Sequence, residues 1–435
     1  MPSDHASNNC LSNIPRLPSP PLKSRIAGSI KAMVLIVLSC LLSATVIAAG
    51  HAPLYLPSSD SVVLEHLPST SDPRVRQFEA LKRRMESHPT DVRPVVALAR
   101  AYLDYGRDTG DARYLGRAQA VIAPWTLKRS VPLDVLLVHA TILQSRHQFA
   151  ESRQLLQTIL KRDNDNAQAW LTLSSVALVQ GDMTEAQRDC AHLIGGYDAL
   201  ITAGCISARA SVTGNAKSSL HLISTLLAQE PNEPPVIQSW AHGLMADAAK
   251  YLGQTARADT EFRMALQLTP GDNFLLADYG DYLLDQGRAR EALELTRNYS
   301  QSDTSFLRFV LAEAALGLPV ATADIATMAS RFRDLEQRGD SRLYGREEAR
   351  FVLELQHDPS RALKLAQDNW TIQRAPEDMR ILLEAALATD QPESARPVLD
   401  LLEKTGFEDP KVRALAKKVA ARLQTSAASA KGVVH

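Results

Sequence analysis

From Pro73 onward the apolar positions fall three and four residues apart, and no sustained alternation or hairpin signal interrupts them. That spacing gathers them on one face of a helix, so the chain is expected to be all helical. The stretch Ala167–Ile194 shows the pattern most clearly. Trp170, Leu173, Ala177 and Leu178 line one short helix, and Ala186, Cys190, Leu193 and Ile194 line a second. Gly181 marks the turn between them, and Asp182 is placed to cap the second helix with Glu185 reaching back. Helices this short cannot bury their apolar faces alone, so the arrangement has to recur.

It does recur. The turn residues His147, Gly181, Gly214, Gly253 and Gly287 follow one another at steps of 34, 33, 39 and 34 residues. The unit before the opening stretch carries Leu136, Ala140 and Leu143, then Ser152, Leu156, Ile159 and Leu160. Later units carry Ala258, Phe262, Ala265 and Pro270, then Leu276, Tyr279, Gly280, Leu283 and Ala292. A looser unit precedes them (Leu98, Ala99, Tyr102, Gly106, then Ala118 and Ile122), and three weaker ones follow at about 303–332, 342–372 and 377–404. The long step contains Pro231, Pro234 and Pro235, which predicts a lengthened linker or helix start and a kink there. Val412, Leu415, Val419 and Leu423 then make one more amphipathic helix, about Pro410–Gln424, read as a cap for the array or as a membrane-surface helix.

A helix–turn–helix of 34 residues with small residues at close contacts, an aromatic in the second helix at Phe262 and a trailing proline at Pro231 and Pro270 resembles the tetratricopeptide repeat. The resemblance covers roughly residues 73–404. It implies a right-handed α-solenoid of stacked units that binds a protein partner on the concave face lined by the first helices. Candidate residues on that face are Gln168, Leu171, Ser175 and Val179, then Trp240, Asp247 and Tyr251, then Asp278, Asp281 and Asp285. They suggest a groove with apolar and hydroxyl contacts in its middle and an acidic patch toward Asp281. Such a groove suits an extended or helical peptide with basic residues near one end. Some members grip a partner's terminal carboxylate with paired Lys and Asn; Leu137, Thr141, Leu171 and Ser175 stand at the corresponding turns, so that activity is not expected.

The N-terminal region is read separately. Residues 1–22 are rich in Pro, Ser and Asn, and Lys23, Arg25 and Lys31 precede an apolar run of 18 residues, Ala32 to Ala49. This is a signal peptide cleaved after Ala48, Ala49 or Gly50, or a membrane anchor at residues 32–49; both place the rest of the chain in the periplasm or another extracytoplasmic space. Cys40 resembles a lipid-acylation site only superficially, because the apolar run continues beyond it. The chain thus divides into a leader at 1–52, a linker at 53–72, N-terminal helices and a first unit at 73–132, core repeats at 133–302, degenerate repeats with the cap at 303–424, and a disordered tail at 425–435.

Two cysteines lie in the array. Cys190 and Cys205 are equally far from the turn near residues 197–198, so an antiparallel helix pair puts both sulfurs at the same height. A disulfide and two small buried thiols both remain open at this point. Charge excludes one class of partner: net charge is −1, with 44 Lys and Arg against 48 Asp and Glu after residue 52, and nucleic acid needs a basic face. HExxH, GxSxG, a Gly-rich phosphate loop and CxxC are all missing from the sequence, and His139, His147, His192, His221, His242 and His357 are scattered singly without ligand spacing. No catalytic, cofactor-binding or metal-binding residue is therefore expected. The reading is a non-enzymatic protein-interaction scaffold of the cell envelope, with a small-ligand or glycan-binding accessory subunit of an envelope enzyme or transporter as the alternative.

Overall fold

The computed structural model describes residue 59, residues 72–111, 113–338 and 343–432, with side chains to residue 425. The expected signal or anchor at 32–49 lies outside them. No described helix is long and apolar enough to cross a membrane. Of the described residues 79% are helical, and no strand occurs among them.

A leading helix α1 (Pro73–Ser87) starts where Asp72 accepts the Arg74 amide and Pro73 occupies the first turn. Among the described residues nine helix–turn–helix units follow. They are α2 and α3 (Val92–Thr109, Arg113–Thr126), α4 and α5 (Leu133–Ser145, Phe149–Arg162), and α6 and α7 (Ala167–Val179, Met183–Ala191). Next come α8 and α9 (Ala199–Ser211, Ala216–Gln229), α10 and α11 (Pro235–Tyr251, Thr255–Leu268), and α12 and α13 (Asn273–Asp285, Ala289–Thr296). The last three are α14 and α15 (Asp303–Ala315, Ala321–Arg338), α16 and α17 (Gly345–Glu354, Pro359–Trp370), and α18 and α19 (Pro376–Ala388, Arg396–Thr405). The cap α20 (Pro410–Gly432) packs on α18 and buries Val412 and Val419. It runs through most of the span expected to be a disordered tail.

Every unit turns through one residue with positive φ: Gly110, His147, Gly181, Gly214, Gly253, Gly287, Gly317, His357 and Asp390. A left-handed residue ends the first helix and lets the chain reverse, which is why glycine holds six of these positions. Asp182 Oδ1 accepts the Glu185 amide at 2.9 Å, but Glu185 turns to Arg153 of the previous unit instead of reaching back. The five-residue excess before Gly253 is absorbed mainly by α10, which has 17 residues where α6, α8 and α12 have 13 each.

Stacked units bury one apolar core from Ala167 to Val419, with smaller cores at α1–α4 and at α4–α6. The array also closes on itself. The turns of units one to five lie against the chain between later units. Asn273 donates to the carbonyls of Arg107 and Asp108 at 2.9 and 2.8 Å. The Arg374 amide donates to the Val179 carbonyl at 2.7 Å, and Gln373 meets His147 at 3.3 Å. The Ala216 amide donates to Glu408 at 3.3 Å, and the Phe407 ring meets Tyr251 edge-on at 4.7 Å between centroids. A methyl group on Gly214 would sit 3.0 Å from the Gly406 carbonyl oxygen. The solenoid is therefore wound tightly enough to form a lengthwise seam.

Candidate functional site

Closure reassigns much of the face on which a partner was expected. Leu171, Ser175 and Val179 are buried, whereas an open concave face would leave them accessible. Val179 joins Phe149 and Val176 in an apolar cluster covered by Ile372, and Ser175 accepts from Gln144 at 3.3 Å. Val179 is a packing residue because a segment some 200 positions later lies over it, and Leu171 and Ser175 are buried within the stack; only Gln168 at the head of α6 stays half-exposed. Trp240 is packed against α8, where a methyl group on Gly204 would come within 2.1 Å of its ring.

The remaining candidates do converge. Tyr251, Asp278, Asp281 and Asp285 line a narrow recess, partly open to solvent, on the inner faces of α10, α12, α14, α16, α18 and α20. Asp247 lies beside it, paired with Lys250 at 2.9 Å. The acidic patch is not open, however. Arg308 grips Asp281 through two nitrogens at 2.9 and 2.6 Å, and Arg350 binds the same carboxylate. Burial alone would raise the Asp281 pKa, but Arg308 and Arg350 outweigh it and hold the carboxyl well below the usual range. Asp285 is shared by Arg380 at 2.7 Å and Lys411 at 2.5 Å. Arg346 lies between Glu347 at 2.8 Å and Asp378 at 3.8 Å. Burial works against the charge of Arg346, and Glu347 restores it. Burial raises Asp378 to about 6 against the pull of Arg346.

The walls thus carry six cations (Lys250, Arg308, Arg346, Arg350, Arg380, Lys411) and seven carboxylates. Lys250 and Lys411, each closely paired already, also make a second, longer contact. Lys250 is 3.9 Å from Glu377, and Lys411, whose side chain is 40% exposed, is 3.8 Å from Glu384. The arginines were missed because they belong to the degenerate units, where the repeat signal is weak. A usable signal was present: Arg308 interrupts the apolar run of α14, and an arginine there needs a buried carboxylate.

Cys190 and Cys205 form a disulfide with Cα atoms 5.7 Å apart, which ties α7 to α8 across adjacent units. His242 does not stand alone in the core; its Nδ1 meets Glu261 at 2.7 Å. Asp198, Glu230 and Glu233 bring carboxylate oxygens within 4.8 Å of one another beside α8. They crowd together through the loop before α10.

No family model matches the sequence, and no curated protein matches it. Among solved structures the chain is similar to the APC/C hetero-tetramer Cut9–Hcn1, at 12% identity and TM-score 0.48, over 80% of this chain and 66% of that chain, just under two thirds of its length. It is similar to the human IFIT1 dimer with m7Gppp-AAAA, at 13% identity and TM-score 0.45, over 80% of this chain and 86% of that one. It is also similar to PilW, a type IV pilus biogenesis factor, at 16% identity and TM-score 0.30, over 50% of this chain and 99% of that one. With nine stacked helix–turn–helix units, each reversing through a left-handed residue, the chain is an all-α solenoid of tetratricopeptide-like repeats.

Proposed function

We propose that the chain is a non-enzymatic protein-interaction scaffold that works outside the cytoplasm and receives a segment of its partner in the charged recess. The observation that carries this reading is the convergence of five first helices and the cap α20 on one recess walled by buried Arg–carboxylate pairs. A uniformly basic peptide does not fit, since Arg308, Arg350, Arg380 and Lys411 already sit on Asp281 and Asp285. The fitting segment carries both charge signs and exchanges partners at the mouth, where Lys250, Glu377, Glu384 and Lys411 make second, longer contacts. The disulfide supports an oxidising compartment, in line with the apolar run at 32–49.

Co-purification from envelope membranes tests this. The wild-type chain is expected to retain a stoichiometric protein that the charge-reversed Glu384→Lys/Lys411→Glu pair loses. A bound small molecule seen by native mass spectrometry, with no protein partner, would favour the ligand-binding alternative instead. Thiol titration of denatured, unreduced protein from the same preparation should find Cys190 and Cys205 unreactive; two free thiols there would refute an oxidising location.

A further inference from the structure

The recess holds more negative charge than its own cations meet. Six cations line it against seven carboxylates. Three more carboxylates stand outside that lining and draw on the same cations: Asp247 on Lys250 at 2.9 Å, Glu354 on Arg350 at 2.8 Å and Asp378 on Arg346 at 3.8 Å. Burial raises Asp378 to about 6, but without it nine carboxylates still face the six cations.

The arginines are already engaged. Arg308 divides between Asp281 and Glu347, Arg350 between Asp281 and Glu354, and Arg380 between Asp285 and Glu384. An anion entering here would have to displace a carboxylate from its cation and leave it buried alone, which is strongly unfavourable. A cation displaces nothing.

One acceptor is open to it. Glu347 lines the recess, and its side chain is 2% exposed. Its Oε1 accepts from Arg346 at 2.8 Å and lies 3.8 Å from Arg308, while its buried Oε2 accepts no hydrogen bond. A buried oxygen without a donor costs free energy that an arriving donor recovers. The same walls include the rings of Tyr251 and Tyr282 and an apolar band of Pro376, Ile381 and Val412. A long side chain can lay its stem on such a band while its charged head reaches a carboxylate.

We infer that the recess takes from its partner one cationic side chain, arginine or lysine, whose N–H groups donate to Glu347 and whose charge offsets the surplus of the walls. This rests on the recess being where the partner is received, and adds which group enters it.

Saturation-transfer NMR with the full chain in neutral detergent tests it, using four capped amino acids as probes. N-acetyl-arginine amide and N-acetyl-lysine amide are expected to bind with Kd on the order of 1 mM. N-acetyl-citrulline amide, which keeps the shape of arginine without its charge, should bind about tenfold more weakly or less. N-acetyl-glutamate amide should not bind. Glu347→Gln should abolish capture of arginine. Should that variant fail to fold, two substitutions at partly exposed walls decide by their opposite signs. Glu377→Gln should weaken arginine binding about threefold and Lys411→Gln should tighten it about threefold, the size of one unit charge felt across a wet recess. Reversed signs, or no change in either variant, would overturn the inference. So would glutamate binding as tightly as arginine, or citrulline matching it, since a neutral donor or water would then suffice at Glu347. If glutamate binds, the recess still receives a partner and only the charge of the entering group is wrong. If no probe binds, the inference falls, and the co-purification still decides the reading beneath it.

Discussion

Units one to five and units six to nine solve the same packing problem with different interiors. In the first group the inner faces of units two to four are apolar or hydroxylic: Leu171, Ser175 and Val179 are buried, and Val179 is covered by later chain. The second group is irregular, and its inner faces hold Asp281, Arg308, Arg346 and Arg350 in buried ion pairs. An apolar inner face needs only to be covered. A buried carboxylate needs a particular cation in a particular place, so the irregular half is held by specific partners and the regular half by shape. The repeat consensus fades where the chemistry of the interior begins.

The largest effect separating the halves should come from Asp281. Removing it leaves Arg308 and Arg350 buried without their anion, so Asp281→Ala is expected to lose about 3–5 kcal/mol in urea denaturation. Asp285→Ala should lose less, about 1 kcal/mol, because its partner Lys411 is partly exposed and its other partner Arg380 keeps Glu384. Equal losses would mean that the interior is not graded from core to mouth.

In the regular half the corresponding tie is covalent. Cys190→Ala with Cys205→Ala is expected to lose about 3 kcal/mol for a closed loop of this length, and reduction of the wild type should match it. A chain equally stable with and without reductant would show that stacking alone holds units three and four.

Asp189 sharpens the contrast through pH. It is buried beside Cys190, its Oδ2 accepts no hydrogen bond, and burial raises its pKa to about 7, with Glu185 adding to the rise. A carboxyl raised on folding makes the folded chain bind the extra proton, so its contribution to stability grows as pH falls from 8 toward 5. Asp281 is depressed, so its contribution is present above the unfolded carboxylate range and is lost as pH falls below about 4. Melting temperature should therefore peak near pH 5, and Asp189→Asn should raise stability at pH 8 by on the order of 2 kcal/mol, an effect that fades at the peak. A gain that is the same at every pH would assign it to packing instead.

The smallest effect probes the seam. Gly287→Ala bears only the left-handed strain of its turn, about 1 kcal/mol. Gly214→Ala bears that strain and also presses on the Gly406 carbonyl, so it should cost about 1 kcal/mol more by thermal melting. Identical losses would mean that the seam yields freely.

These contrasts also explain what the sequence could disclose. The ladder His147, Gly181, Gly214, Gly253 and Gly287 was legible because a reversal between helices demands a left-handed residue wherever it falls, and all five have positive φ. The helical stripes were legible because burial imposes their period. What stayed hidden was the winding of the array, which accumulates from small rotations between neighbours that no spacing records. Val179 therefore looked outward until Ile372 and Arg374 were seen to cover it. Asp281 looked like part of an open acidic surface because Arg350 lies 69 positions away in a unit with little repeat signal. The height argument brought Cys190 and Cys205 together on paper, but only the structure fixes their facing.

In an open repeat array each unit answers only to its neighbours, so terminal units fray and can be cut away with a local penalty. Here Gln373 is joined to His147 across 226 positions and Glu408 to Ala216 across 192. Such ties raise contact order and couple unfolding of the first units to that of the last. The chain should therefore behave as one cooperative body that folds slowly, and deletion of its final units would uncover the apolar cluster of Phe149, Val176 and Val179 near its start.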